Sequence, residues 1–119
     1  MKAIMFTALP VLLASTQAIA QFNSVNDPAP GASSLMGANY ATAEREIRAA
    51  DISKYDPARS INLGIALAKQ GRRSDAATQF NRVLMEDDVE MVVANGQTVM
   101  SHELASRALA SLKSGVLSR

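Results

Sequence analysis

Residues 62–80, NLGIALAKQGRRSDAATQF, decide the fold, because they hold two helical segments separated by a tight turn. Asp56 as N-cap and Pro57 in the first helical position predict that the first helix spans 57–70 and ends at Gly71. Ser74 is the expected N-cap of a second helix over 75–85. Only residues 71–74 separate the two helices, so we predict that they are antiparallel neighbours.

Gly64 lies inside the first of these helices, where glycine costs about 1 kcal/mol relative to alanine. Apolar residues lie on two sides of this helix, which therefore is buried between neighbours or lines a groove. Ala76 on the partner helix is also small. We expect the two helices to approach closely at Gly64; the alternative is a tolerated glycine with no packing role.

The spacing of small and large residues in this stretch resembles a tetratricopeptide repeat. The residues that carry the resemblance are Leu63, Gly64, Leu67, Gly71, Ala76 and Phe80. Residues 57–90 span one repeat length of about 34 residues, and 37–50 resemble the second helix of a preceding repeat. Four positions depart from the family pattern in residue type: Ser60, Leu67, Arg73 and Asp88. The resemblance covers 35–90, or one and a half repeats.

The resemblance implies a mainly α fold of antiparallel helix pairs, with a concave groove that binds a peptide or a partner protein. The groove positions implied in this chain are Ala58, Ile61, Asn62, Ile65 and Lys69. The alternative is that the two isoleucines are covered by the upstream helix or by the hairpin predicted below.

Three further elements are predicted around this repeat. Asn39 is the expected cap of a helix over 40–51. Residues 89–93 and 97–100 are β-prone around Asn95-Gly96, a type I′ turn signal, and predict a hairpin over 89–100; a loop leading into a helix is the alternative. A capping helix over 102–114 is expected after Ser101, ending at Gly115.

Residues 1–20 have the layout of a secretory signal peptide. Lys2 precedes an apolar run, and Ala18-Ile19-Ala20 offers small residues for cleavage before Gln21. The run is too short to span a bilayer, which disfavours the alternative of a retained membrane anchor. The expected location is therefore the periplasm or the outside of a bacterium, without stable membrane insertion after cleavage.

The remaining chain divides into a flexible leader over 21–34, rich in Asn, Ser, Pro and Gly, and a helical domain over 35–119. Over residues 21–119 the basic and acidic residues are equal in number. Only Lys2 of the twelve Lys and Arg precedes residue 21, and all eleven acidic residues follow it. This balance gives no electrostatic reason to expect nucleic-acid binding. The chain has no cysteine, which excludes disulfides and thiolate sites.

The polar residues do not predict a catalytic, cofactor or metal site. His102 is the only histidine, and its neighbours Ser101 and Glu103 suit the start of a helix. The acidic run at 86–90 lacks the ligand spacing of a calcium loop and predicts a solvated helix end. Arg72-Arg73 is expected in a solvated loop.

Two functions follow as hypotheses. The first is a small exported interaction module that binds a peptide or partner protein through the helical groove. The second is a structural homo-oligomer that buries its apolar face or hairpin edge against its own copies. An enzyme is disfavoured, because the polar residues that catalysis needs are missing.

Overall fold

The computed structural model of the protein describes residues 22–24 and 27–117. The predicted signal peptide at 1–20 lies outside the described residues. The described chain is mainly helical with a small antiparallel hairpin, which confirms the predicted fold class. In chain order the elements are β1 Phe22–Ser24, β2 Asp27–Pro28, α1 Ala32–Met36, α2 Tyr40–Ala49, α3 Pro57–Lys69, α4 Arg73–Met85, β3 Glu90–Val92, β4 Thr98–Met100 and α5 Ser101–Ser114. Within this described part, no helix is both long and apolar enough to cross a membrane.

The second half of the predicted leader belongs to the domain. β1 pairs with β2, and the short helix α1 packs on α2 and α3. Ala29 and Ala32 are buried, and a Cβ added at Gly31, whose φ is +78°, would lie 2.8 Å from Ile47 Cδ1. The prediction of a leader outside the domain is thus wrong for 29–34, because small residues there let a short segment approach α2 closely.

Helix α2 is shorter than predicted and is capped differently. It ends at Ala49, and Ala50 is already extended with ψ of 141°. The side chain of Asn39 makes no cap hydrogen bond. Its ψ of 73° is not the extended conformation in which a side chain caps a helix, so the predicted cap is wrong.

Helix α3 begins and ends as the sequence predicts, to within one residue. The carboxylate of Asp56 accepts a hydrogen bond from the Arg59 amide at 3.0 Å, and Pro57 opens the helix. Gly71, with φ of +83°, carries the left-handed turn after the helix.

Helix α4 begins at Arg73, before the predicted cap Ser74, and has no side-chain cap. The guanidinium of Arg73 donates to the carbonyl oxygen of Leu112 on α5, which helps to hold this first turn in place. Ser74 therefore lies within the helix rather than before it.

Helix α3 is the centre of the molecule. It packs against α1, α2, α4 and α5, and all of its residues from Ser60 to Ala68 are buried. The buried hydroxyl of Ser60 donates to the Lys54 carbonyl at 3.3 Å, which attaches the preceding loop to the core. The two apolar sides of this helix therefore face neighbours within the chain.

The hairpin is present, but its turn differs from the predicted type. β3 and β4 pair with Glu90 opposite Met100, Met91 opposite Val99 and Val92 opposite Thr98. A type I′ turn needs positive φ at two successive residues, and of Asn95 and Gly96 only Gly96 has it. The Gly96 amide donates to the Val93 carbonyl at 2.8 Å, and the Val93 amide donates to Gln97 at 3.0 Å. This is the three-residue loop in which a left-handed glycine closes the turn.

Candidate interaction surface

The groove residues implied by the family resemblance are buried in the core. Ala58, Ile61, Asn62 and Ile65 are each at most 4% exposed, and only Lys69, at the end of α3, is half-buried. The alternative of covered isoleucines is correct, and the upstream helix α2 is among the helices that pack against α3. These four residues do not form a binding groove, because other helices of the chain pack around α3 and the four side chains lie in the core.

The exposed apolar side chains lie mostly elsewhere. Among the described residues, six large apolar side chains are exposed, and four of them fall between positions 85 and 100. The four are Met85, Val89, Val92 and Met100. Isolated exposed apolar residues are ordinary, but their concentration at the hairpin indicates a surface that can be covered.

Val92 and Met100 lie diagonally on the outward face of the hairpin. Side chains alternate along a strand, so Met91 and Val93 point to the core while Glu90 and Val92 point outward. Val92 and Met100 are each 37% exposed. We call the outward side chains Glu90, Val92 and Met100, together with the free edge of β3, the β3 surface.

The free edge of β3 is defined by the hydrogen bonds of the hairpin. The Val93 amide bonds to Gln97, and the Ser101 amide donates to the Val89 carbonyl at 2.7 Å. In an antiparallel pair, hydrogen-bonded and non-hydrogen-bonded positions alternate. The amides and carbonyls of Glu90 and Val92 therefore point away from β4, and no third strand pairs with them in the described part of the chain.

Polar contacts fix the base of the hairpin to the start of α5. The buried hydroxyl of Ser101 accepts from the Val89 amide at 2.9 Å. The Asp88 carboxylate accepts from the His102 amide at 2.9 Å and lies 3.3 Å from the Ser101 hydroxyl. The predicted cap Ser101 is therefore wrong: Asp88 caps the helix from the adjacent loop, because the chain reverses there. These bonds hold the edge in a defined position.

The β3 surface carries one acidic side chain, Glu90, and two further acidic residues, Glu86 and Asp87, precede it in the chain. Glu86, Asp87 and Glu90 are exposed, and positions 83–106 contain no lysine or arginine. The predicted solvated helix end is thus correct for these three residues, whereas Asp88 is engaged as the cap. The charges next to the free edge along the chain are therefore negative, which favours a cationic partner.

The other polar residues singled out in the sequence have structural contacts. His102 Nε2 lies 2.7 Å from the Glu86 carbonyl oxygen, so the ring nitrogen donates there. Arg72 and Arg73 are both exposed, as the predicted solvated loop implies, although Arg73 already belongs to helix α4. Arg72 also bonds to Glu44 at 2.8 Å, and Arg73 donates to α5. In the described chain, no group of three or more His, Asp or Glu side chains is placed to hold a metal ion.

The structure also shows a shallow groove that the sequence does not indicate. It lies between α4 and α5, with a volume of about 410 Å³. Its lining residues are Arg73, Ser74, Ala77, Leu109, Leu112 and Lys113. The lining residues come from both helices, so the groove exists only where the two helices meet in the folded chain.

Comparison with known proteins finds no match for this chain. The chain matches no family model, no curated protein and no solved structure. The resemblance to tetratricopeptide repeats therefore stays a prediction, made from the residues between 35 and 90.

Proposed function

We propose that this chain is a small exported interaction module, with tetratricopeptide-like helix pairs as its scaffold, that binds a partner protein through the β3 surface. The observation that carries the proposal is the free edge of β3, whose Glu90 and Val92 backbone groups are unpaired in the described chain, beside exposed Val92 and Met100. Natural proteins usually cover or blunt such edges, and an edge held open is a common site for pairing with another chain.

The helices supply the rigid support for this surface rather than the surface itself. Buried Met91 and Val93 attach the hairpin to the core, and Asp88 and Ser101 attach it to α5. A preorganised edge costs less ordering entropy on binding than a mobile loop does. Export to the periplasm or outside the cell is part of the proposal and is supported by the signal-peptide layout of residues 1–20.

A structural homo-oligomer is the second candidate, since a free edge beside apolar residues can also pair with its own copy. The acidic surroundings disfavour it, because two copies would bring Glu86, Asp87 and Glu90 near their equivalents. A charge introduced at Val92 can test self-association, because Val92 is exposed and the change affects only the surface. A charge introduced at Ile65 cannot test it, because Ile65 is buried and the change would unfold a monomer and an oligomer alike.

Site-specific photo-crosslinking tests the proposal. A photoreactive residue replaces Val92 in cells that make the protein, and a matched control replaces Ser106, which is exposed on α5. We expect an adduct with a different protein from position 92 and none from position 106. An adduct of twice the chain mass from position 92 alone supports the homo-oligomer instead. Equal adducts from both positions, or none from either, would contradict the proposed function.

A further inference from the structure

The backbone of β3 offers donors and acceptors at a fixed spacing. The amide and carbonyl groups of Glu90 and of Val92 point to the same side, two residues apart. An extended segment laid along this edge would pair with both residues, as a third strand pairs in a sheet. The backbone hydrogen bonds of Val89 and Val93 lie on the side of the strand that faces β4. They do not use the amide and carbonyl groups of Glu90 and Val92.

The side chains beside this edge set a pattern for the added strand. Val92 and Glu90 both point outward, so the residues placed opposite them on the new strand also point outward, two positions apart. An apolar residue suits the position opposite Val92, and a basic residue suits the position opposite Glu90. Met91 points inward between them, so the residue opposite it also points inward and should be uncharged.

The acidic residues that precede β3 extend the preference for basic residues beyond the strand. The chain before the strand carries exposed Glu86 and Asp87, and Glu86 is already extended with ψ of 176°. Further basic residues on the incoming strand would lie along this part. Charge complementarity thus points to a cationic segment of another protein rather than to a second copy of this chain.

We infer that the β3 edge binds an extended segment of its partner by strand addition, with an apolar residue opposite Val92 and basic residues opposite Glu90 and the acidic run. The inference rests on the proposed function and names the chemistry of the partner. Specificity comes from the side-chain pattern, and the backbone bonds require only an extended conformation.

A peptide series measures this preference. The probe is a dye-labelled, terminally blocked peptide Val-Thr-Lys-Thr-Lys-Lys, tested with its reverse sequence by fluorescence anisotropy on the purified protein. We expect at least one of the two to bind at least tenfold more tightly than the same peptide with Glu in place of Lys. Two versions N-methylated at alternate positions should differ, because only one set of amides faces the β3 edge. Equal binding of the Lys and Glu peptides, equal effects of the two methylation patterns, or no binding of either sequence would overturn the inference.

Proline substitutions locate the edge in the protein. Val92→Pro removes an amide donor from the free edge of β3, and Thr98→Pro removes the matching donor from the opposite edge of β4. We expect the first to weaken peptide binding at least tenfold and the second to leave it within twofold, with circular dichroism checking that both fold. Equal loss in two folded variants would contradict the assignment.

Charge reversal at Glu90 tests the inference without a proline, in case a proline variant does not fold. Glu90→Lys should weaken binding of the Lys peptide and strengthen binding of the Glu peptide, both by severalfold; unchanged affinities would overturn the inference. Crosslinks from Val92 in cells together with no peptide binding would refute this inference and leave the proposed function standing. Absence of crosslinks would refute the proposed function itself.

Discussion

Gly64 shows how one residue sets the contact between the two central helices. The sequence predicts a close approach there, with Ala76 as the small residue opposite. In the structure the space is filled by the ring of Phe80, which is fully buried. A Cβ at position 64 would lie 2.8 Å from Phe80 Cδ1 and Cζ, too close for atoms that cannot move.

Gly64→Ala should therefore destabilise the protein, although alanine favours a helix. The propensity gain is about 1 kcal/mol, and overpacking a full core costs typically about 1–3 kcal/mol. We expect a net loss of about 1 kcal/mol, which lowers the melting temperature by roughly 4–8 °C in a domain of this size. Combining it with Phe80→Leu should cost less than the sum of the single changes. A rise in melting temperature for Gly64→Ala would contradict this account.

Glu44 has more partners than the sequence indicates. The i,i+4 spacing predicts only a surface pair with Arg48, found at 2.9 Å. The same carboxylate also accepts from Arg72 at 2.8 Å and from Gln70 at 3.0 Å, and its side chain is 14% exposed. Burial, the largest single influence, raises the pKa of Glu44, but the hydrogen bonds from Arg48, Gln70 and Arg72 outweigh it, so the pKa lies below its ordinary value.

Glu44→Gln should destabilise the protein by about 1 kcal/mol at neutral pH, because a charged acceptor with three donors is lost. A carboxylate with a lowered pKa stabilises the fold fully above its unfolded pKa of about 4.3. That contribution is lost as the pH falls through the lower folded pKa. Urea unfolding at pH 7 and below pH 4 should therefore show a difference between the two proteins that shrinks in acid.

The matched control is Glu103→Gln, which removes a single i,i+4 pair with Arg107 at a carboxylate that is 54% exposed. Its cost should stay below about 0.5 kcal/mol. An equal cost for both glutamine variants, or a pH-independent difference at Glu44, would be inconsistent with the network.

At the scale of elements, the start of α5 is capped by a neighbouring segment. The hydroxyl of Ser101, the expected cap, turns instead toward the Val89 amide. Asp88, thirteen positions before Ser101, supplies the acceptor for the helix amide at His102. The cap thus joins two elements, the hairpin and the helix, rather than completing one.

Asp88→Ala should lower the free energy of unfolding by about 1 kcal/mol, the usual cost of losing a helix cap. Asp87→Ala is the matched control, since Asp87 is exposed and makes no hydrogen bond or ion pair within the described residues. We expect the control to change stability by no more than about 0.5 kcal/mol. Equal losses in chemical denaturation would show that local charge, and not the cap, is responsible.

At the scale of the whole molecule, the closed α3 face separates this chain from an open helical array. Helix α3 has neighbours on every side, so the face that would line a groove becomes the core. Among the described strands, the hairpin of β3 and β4 has no further strand on either edge. A two-stranded hairpin is marginal alone, and here buried Met91, Val93 and Ser101 hold it to the helices.

The sequence by itself determined the central elements, because their signals are local. Asp56 with Pro57, the left-handed Gly71 and the alternation around Asn95-Gly96 each act within a few residues, and the structure places those boundaries within one or two positions. The predicted type I′ turn of the hairpin is wrong, because of Asn95 and Gly96 only Gly96 has a positive φ.

Only the tertiary structure decided which surface remains exposed. Burial of Ile61 and Ile65, the contact of Phe80 with Gly64 and the cap from Asp88 all depend on residues distant in sequence. An apolar helix face has the same pattern whether it lines a groove or a core, because periodicity records hydrophobicity and not what covers it. The free edge of β3 likewise follows from which strands are absent beside it in the described chain, a property of the packed fold.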